Sequence, residues 1–112
     1  MWYNIGTIKG SDRPPKGIHT MTIKLNAMPY AQATVTIFDV PELCAKLTSY
    51  ATDVVYLYNN GDVVVTGLYS QTTRKHISAF AREYCKCDYY TLKKCYTDNL
   101  IYNIYTQEYR KA

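Results

Sequence analysis

The sequence predicts an α+β fold, an antiparallel β-sheet that includes a central β-hairpin and is covered on one face by C-terminal helices. Three observations predict it: β-branched runs fill the first part of the chain, an Asn-Gly turn signal joins two of them, and the apolar spacing becomes helical after Gly67. At 112 residues, we expect one domain over 1–112.

The first half of the chain predicts strands separated by irregular connections. Residues 1–17 predict a short strand and then an irregular connection, because glycines and a Pro-Pro pair interrupt regular structure. Residues 19–25 and 32–38 predict two strands from their alternation and β-branched content. Asp39 predicts the cap of a short helix over 41–47, whose proline lies in the first turn.

A hairpin is the clearest local signal. The runs 49–58 and 63–69 are typical of strands, and they flank Asn59-Asn60-Gly61-Asp62. Asn-Gly supplies the positive φ angles that a tight hairpin turn needs.

A helix follows the hairpin. Ile77, Phe80 and Tyr84 recur at helical spacing, and hydroxyls from Ser70 onward are available to cap the first turn. The pattern predicts a helix over 72–84 that packs its apolar side on the hairpin.

The end of the chain predicts a second helix and an ambiguous tail. Asp88 is placed to cap a helix over 89–96. The tail, 99–109, fits either a strand or a helix, because its apolar residues lie on a helical stripe while its aromatic and β-branched content is typical of a strand.

Charge and aromatic content indicate a binding surface. The net charge is +4, and the whole excess lies from Arg74 onward, where eight basic residues stand against four acidic ones. Such a bias attracts an anionic partner such as nucleic acid or an acidic protein groove. Thirteen tyrosines against two phenylalanines and one tryptophan favour half-buried positions and interfaces, because each phenol needs a hydrogen-bond partner or water.

The basic residues of this part form a stripe. Lys75, Ser78, Arg82 and Lys86 recur at helical spacing, opposite the apolar side of the same helix. A solvated helix face has the same pattern, so the binding surface is a hypothesis. The residues predicted to bind a partner are Arg74, Lys75, Arg82, Lys86, Tyr89, Tyr90, Lys93 and Lys94.

The thiols allow a structural zinc site. Cys85, Cys87 and Cys95 supply three soft ligands, and zinc needs four. The fourth ligand stays open between His76, Cys44, His19 and an aspartate. In one straight helix His76 and Cys85 would stand about 13 Å apart, too far to share an ion. The alternative is that Cys85 and Cys95 are buried apolar residues and Cys87 is a surface thiol.

His76 has two interpretations. The commoner role of such a histidine is a hydrogen bond between helix and hairpin. The other is acid-base cleavage of RNA together with His19. No familiar nucleophile motif surrounds either residue, so we expect no enzyme.

One pattern resembles a known family. Ser49-Tyr50-x-Thr52, a hairpin, and Tyr69-Ser70-x-Thr72-Thr73-x-x-His76-Ile77 resemble a domain of unknown function found in small phage and prophage proteins. The resemblance covers 49–84 and leaves out the basic part 85–112, rich in cysteine and tyrosine. It implies an inhibitor of a bacterial CRISPR type II effector nuclease, with the effector and its guide RNA as partner.

These observations select an expected function and location. We expect a non-enzymatic inhibitor that binds a host protein; the alternatives are a phage regulatory module that binds nucleic acid and a small ribonuclease using His19 and His76. No basic-then-apolar segment opens the chain and no apolar run approaches the ~20 residues that span a bilayer. We therefore expect a protein of the bacterial cytoplasm with no membrane contact, where thiols stay reduced.

Overall fold

A computed structural model describes residues 20–68 and 70–112. They form an α+β fold dominated by one seven-stranded antiparallel sheet, in which the strands lie side by side in chain order. The strands are β1 (Thr20–Ile23), β2 (Ala33–Phe38), β3 (Leu43–Ser49), β4 (Thr52–Tyr58), β5 (Asp62–Val65), β6 (Leu100–Asn103) and β7 (Glu108–Lys111). The expectations for residues 1–17, His19 and Tyr69 lie outside the described residues.

Two helices lie between β5 and β6 in the chain. They are α1 (Gln71–Phe80), continued by one π-helical turn (Ala81–Cys85), and α2 (Tyr89–Thr97). α1 contacts β3, while α2 contacts β5 and β6. Within 20–68 and 70–112, no helix is both long enough and apolar enough to cross a membrane.

Alternation along the strands divides buried from half-buried side chains. Val35, Leu47 and Val55 are paired across β2, β3 and β4, and all three are fully buried. Their neighbours Thr36 and Lys46, also paired with each other, are only half-buried. Successive side chains of a strand point to opposite faces of a sheet, so the apolar row lies on one face and the polar row on the other.

The predicted helix over 41–47 is wrong, because residues 43–47 lie in strand β3 and the two residues before them are not helical. The local signals for a helix start, Asp39 and a following proline, are overruled by pairing on both sides. Ala45 and Leu47 are buried, and β3 forms ladders with both β2 and β4. The backbone hydrogen bonds of a central strand come from its two neighbouring strands, so a local sequence pattern does not reveal them.

The predicted strand over 49–58 is interrupted by a turn. Tyr50 adopts a left-handed φ of 59°, and its N–H donates to the carbonyl oxygen of Gln32 at 2.7 Å. The chain therefore reverses between β3 and β4, which leaves Ser49 at the end of β3.

The predicted helices are confirmed, with their caps. Ser70 Oγ accepts the N–H of Thr73 at 3.1 Å, and Asp88 Oδ1 accepts the N–H of Thr91 at 3.0 Å. The first helix ends after the π-helical turn, at Lys86, whose φ of 54° is left-handed. Hydroxyl and carboxylate caps satisfy amides that a helix start leaves without an intrahelical partner.

The turn between β4 and β5 packs against the connection between β6 and β7. Gly61 has a φ of 95°, and a Cβ on this residue would stand 2.6 Å from the ring of Tyr105. Ile104 N–H donates to the carbonyl oxygen of Gly61 at 2.8 Å. The tail that the sequence left ambiguous consists of strands β6 and β7. The connection between these strands packs on the turn, so Gly61 is required both for its positive φ and because a side chain would have no space.

Asp62 joins β5 to the last strand. Its carboxylate accepts two hydrogen bonds from Arg110, at 2.8 and 2.6 Å, and one from Asn103 at 3.0 Å. The Arg110 guanidinium is the main cause that holds the pKa of Asp62 well below its usual range. A buried carboxylate with these donors anchors β7, whose own side chains are exposed.

We predict that Asp62→Ala destabilises the protein by about 2 kcal/mol, because hydrogen bonds to the charged group are lost. Because the pKa of Asp62 is lowered on folding, its contribution is complete above about pH 4, near the unfolded pKa, and is lost as pH falls further. Urea unfolding between pH 7 and pH 3 measures both effects. Glu108→Ala, at an exposed position of β7, is the control. Equal stability of the two variants would contradict this role for Asp62.

Candidate binding groove

A groove with a volume of about 740 Å³ lies between α1 and α2. It brings together charged, polar and aromatic side chains from both helices and from the residue that caps α2. The lining residues are Gln71, Arg74, Lys75, Ser78, Arg82, Asp88, Tyr89, Tyr90 and Lys93.

The α1 wall of the groove follows from which side of α1 is buried. Ile77 and Phe80 are fully buried, so the residues on the opposite side of the helix are turned outward. Arg74, Lys75 and Arg82 are exposed. Arg82 follows Lys75 by seven residues and Arg74 by eight, which places the three side chains on one side of the helix and makes this wall a row of positive charge.

The α2 wall supplies aromatic rings. Tyr89 and Tyr90 open α2 directly after its cap, and their ring centroids lie 5.5 Å apart in an edge arrangement. Tyr90 is 71% exposed. The Tyr89 hydroxyl is buried and has no hydrogen-bond partner among the described protein atoms.

The structure brings together most of the residues predicted to bind a partner. Six of the eight line the groove, and Lys86 and Lys94 do not. Lys86 is exposed at the left-handed end of the π-helical turn. Lys94 Nζ donates a hydrogen bond to Asp98 Oδ2 at 3.1 Å, and the same ammonium group lies 5.6 Å from the ring centroid of Tyr109. Sequence reasoning missed Gln71, which lies one helical turn before Arg74 and carries no charge to mark it.

A second, smaller pocket lies against the same helix. Its volume is about 330 Å³, and it shares three lining residues with the groove, Lys75, Ser78 and Arg82. The remaining lining residues are Ala27, Met28, Ala79 and Glu83. The outer face of α1 is therefore a ridge with a depression on each side.

A carboxylate holds the outer wall of this pocket in place. Glu83 accepts the N–H groups of Asn26 and Ala27 at 2.9 and 2.8 Å. Both donors lie in the connection between β1 and β2, which is 57 residues from Glu83 in the chain. The pocket is thus formed before any ligand arrives, and the negative charge of Glu83 is engaged with backbone donors.

His76 is a buried connector between α1 and the sheet. It is 1% exposed, and its Nδ1 lies 2.8 Å from Ser49 Oγ, which in turn lies 3.0 Å from Thr73 Oγ1. The ring of Tyr50 lies beside the imidazole, tilted by 49° to it, with 5.8 Å between ring centroids. Burial lowers the pKa of His76, so the neutral imidazole is favoured. The geometry fits the hydrogen-bonding interpretation, while His19 lies outside the described residues.

The thiols are distributed between the core and the surface. Cys85 and Cys95 are buried, and Cys44 and Cys87 are half-buried. A hydrogen bond between the thiols raises the pKa of Cys85 and lowers that of Cys87. Burial raises the pKa of Cys95 to about 11. This placement fits the alternative in which Cys85 and Cys95 act as small apolar residues.

A zinc site stays a prediction. Over 20–68 and 70–112, the structure contains no group of three or more His, Cys, Asp or Glu side chains placed to hold a metal ion. His76 and Cys85 belong to one continuous helical segment, so they stand about 13 Å apart along its axis. At this separation the two residues do not reach one ion directly.

Comparison with known proteins gives one match. Residues 21–97 match a family described as a family of unknown function (DUF8033). No curated protein and no solved structure matches. The matched range includes both walls of the groove and the His76 cluster, and it ends before β6.

We predict that His76 makes the stability of the protein fall in acid. Because the pKa of His76 is lowered on folding, the unfolded chain binds the proton more readily below about pH 6.5. The contribution of the neutral side chain is therefore complete above this pH and decreases below it. Urea unfolding at pH 8 and pH 5 measures the loss, and His76→Gln should reduce the pH dependence. A variant with the full wild-type pH dependence would contradict the interpretation.

Proposed function

Since the chain belongs to DUF8033, a family of unknown function, we propose its function from its own surface: it is a non-enzymatic inhibitor that binds a macromolecule through the groove between α1 and α2. One observation carries the proposal. Four cations and two tyrosine rings from two helices line a single concave surface. Such a surface complements an anionic partner and offers rings that can be buried in contact.

The composition of the groove favours a protein partner. Arginine and tyrosine, two of the residue types most enriched at the energetic centres of protein interfaces, both occur in it. The alternative, a nucleic-acid-binding regulatory module, rests on the same cations and would use the rings for stacking.

The resemblance of the pattern over 49–84 to small phage proteins suggests a narrower target. We propose that the partner is a CRISPR type II effector nuclease of the bacterial host, with its guide RNA, and that the protein acts in the host cytoplasm. Occupying the effector surface would block it without any chemical step. The support for this target is the resemblance, with the charge of the groove as compatible evidence.

The same proposal includes how the fold presents the groove. We infer that β4 and β5 form the central hairpin and that both helices cover one face of the sheet. The strand order, in which β4 and β5 have strands on either side, supports the first inference. The burial of Val35, Leu47 and Val55 in one row supports the second. The groove would then face away from the sheet.

The ribonuclease alternative is weaker. It requires His76 to exchange protons with a substrate, and His76 is 1% exposed and bonded to Ser49. A general acid or base must reach the proton it transfers. We therefore propose no catalytic role for His76.

We predict that Arg82→Glu weakens inhibition at least tenfold, because it places a carboxylate against the anionic surface of the partner. The assay measures plasmid cleavage by a purified type II effector loaded with its guide RNA, with increasing amounts of the protein. Lys111→Glu changes the net charge equally at an exposed position of β7 and should inhibit like the wild type.

Two results would contradict the proposal. Wild-type protein that leaves cleavage unchanged would exclude this effector as the target. Equal inhibition by both variants would show that binding does not use the groove.

Structural zinc remains part of the proposal as a separate prediction. If Cys87 and Cys95 are ligands, elemental analysis of protein purified without added metal should find about one zinc per chain. Cys87→Ala or Cys95→Ala should lose it, and Lys111→Glu should retain it. Well-folded protein without zinc would leave Cys85 and Cys95 as apolar residues of the core.

A further inference from the structure

The ridge of α1 separates two pockets of different chemistry. On one side lies the groove with its cations and tyrosines, and on the other lies the smaller pocket, to which Ala27, Met28 and Ala79 contribute apolar side chains. Lys75, Ser78 and Arg82 belong to both linings. A ligand lying across the ridge would therefore meet positive charge and an apolar depression within one turn of helix.

The smaller pocket is suited to an aliphatic side chain. Its volume of about 330 Å³ exceeds that of one such group, and its lining includes the methyl groups of Ala27 and Ala79 and the thioether of Met28. Met28 is half-buried and adjusts its shape easily, since its side chain is unbranched. The bonds of Glu83 to Asn26 and Ala27 fix the outer wall, so little ordering cost accompanies binding.

We propose that the groove and the smaller pocket together bind one acidic peptide segment of the partner protein. Its carboxylates lie on Arg74, Arg82 and Lys93, and a large apolar side chain next to them enters the pocket at Ala27. This proposal rests on the proposed function and adds the chemistry of the bound segment. The positive charge of the groove favours acidic residues in the peptide, and the smaller pocket favours an apolar residue next to them.

A nucleic acid fits this combination less well. Three of the seven residues that line the smaller pocket, Ala27, Met28 and Ala79, offer a nucleobase no hydrogen-bonding side chain, so the polar groups of a base that face them would lose their water without replacement. An aliphatic side chain has no such groups to desolvate.

The experiment uses two synthetic peptides and the full chain. One is a run of glutamates with a central leucine, and the other has serine in its place. The leucine peptide should bind about tenfold more tightly, because the pocket buries its side chain. Ala27→Phe fills the pocket from an exposed position without changing charge, and it should remove this difference while leaving the serine peptide unaffected. Ala112→Phe, also at an exposed alanine, is the control.

The outcomes separate this inference from the proposed function. Equal affinity for both peptides, no binding of either at millimolar concentration, or no effect of Ala27→Phe would overturn the inference. The proposed function would survive these results if Arg82→Glu weakened inhibition at least tenfold while Lys111→Glu did not. Oligothymidylate could instead bind more tightly than the leucine peptide, with the logarithm of its binding constant falling linearly as the logarithm of the salt concentration rises. This result would overturn the inference in favour of nucleic acid.

Discussion

The burial of one side of α1 is the constraint on which the rest of the structure depends. Ile77 and Phe80 are fully buried, and His76 beside them is bonded to Ser49 at the end of β3. A helix with its apolar side fixed in this way has no freedom to rotate, because rotation would expose apolar surface and break the buried hydrogen bond. The orientation of the row from Arg74 to Arg82 is thus a consequence of core packing.

The acidic residues around the groove are engaged with backbone N–H groups. Glu83 accepts the N–H groups of Asn26 and Ala27, and Asp88 accepts that of Thr91. Both carboxylates stabilise local structure, one the β1–β2 connection and the other the start of α2. Their charge is partly offset by these donors, which leaves the surface between the helices predominantly positive.

Local signals made the helices and caps predictable, and long-range contacts account for what was missed. Ser70 and Asp88 act as caps because the capping geometry involves only the next three residues. The helix predicted over 41–47 is wrong because hydrogen bonding to β2 and β4 makes most of this segment a strand. The contact of Gly61 with Tyr105 and the bonds of Glu83 to the β1–β2 connection join residues more than forty positions apart, and no pattern in a single sequence marks such pairs.

The basic row was predictable for the same reason as the helix that carries it. The basic residues recur at helical spacing on the side of the helix opposite Ile77 and Phe80, and the sequence shows this directly. Their position next to Tyr89 and Tyr90 depends on how α2 packs beside α1. The apolar pocket was not predictable, since Ala27 and Met28 come from a distant connection.

The most direct test of the account is NMR mapping of backbone and tyrosine signals while the acidic leucine peptide is added to the labelled full chain. The account predicts that the largest shifts fall at Arg74 to Arg82, at Tyr89 to Lys93 and at Ala27, with little change in β2, β3, β6 and β7. Shifts concentrated on Thr36, Lys46 and Tyr56 of the half-buried row, with none between α1 and α2, would contradict it.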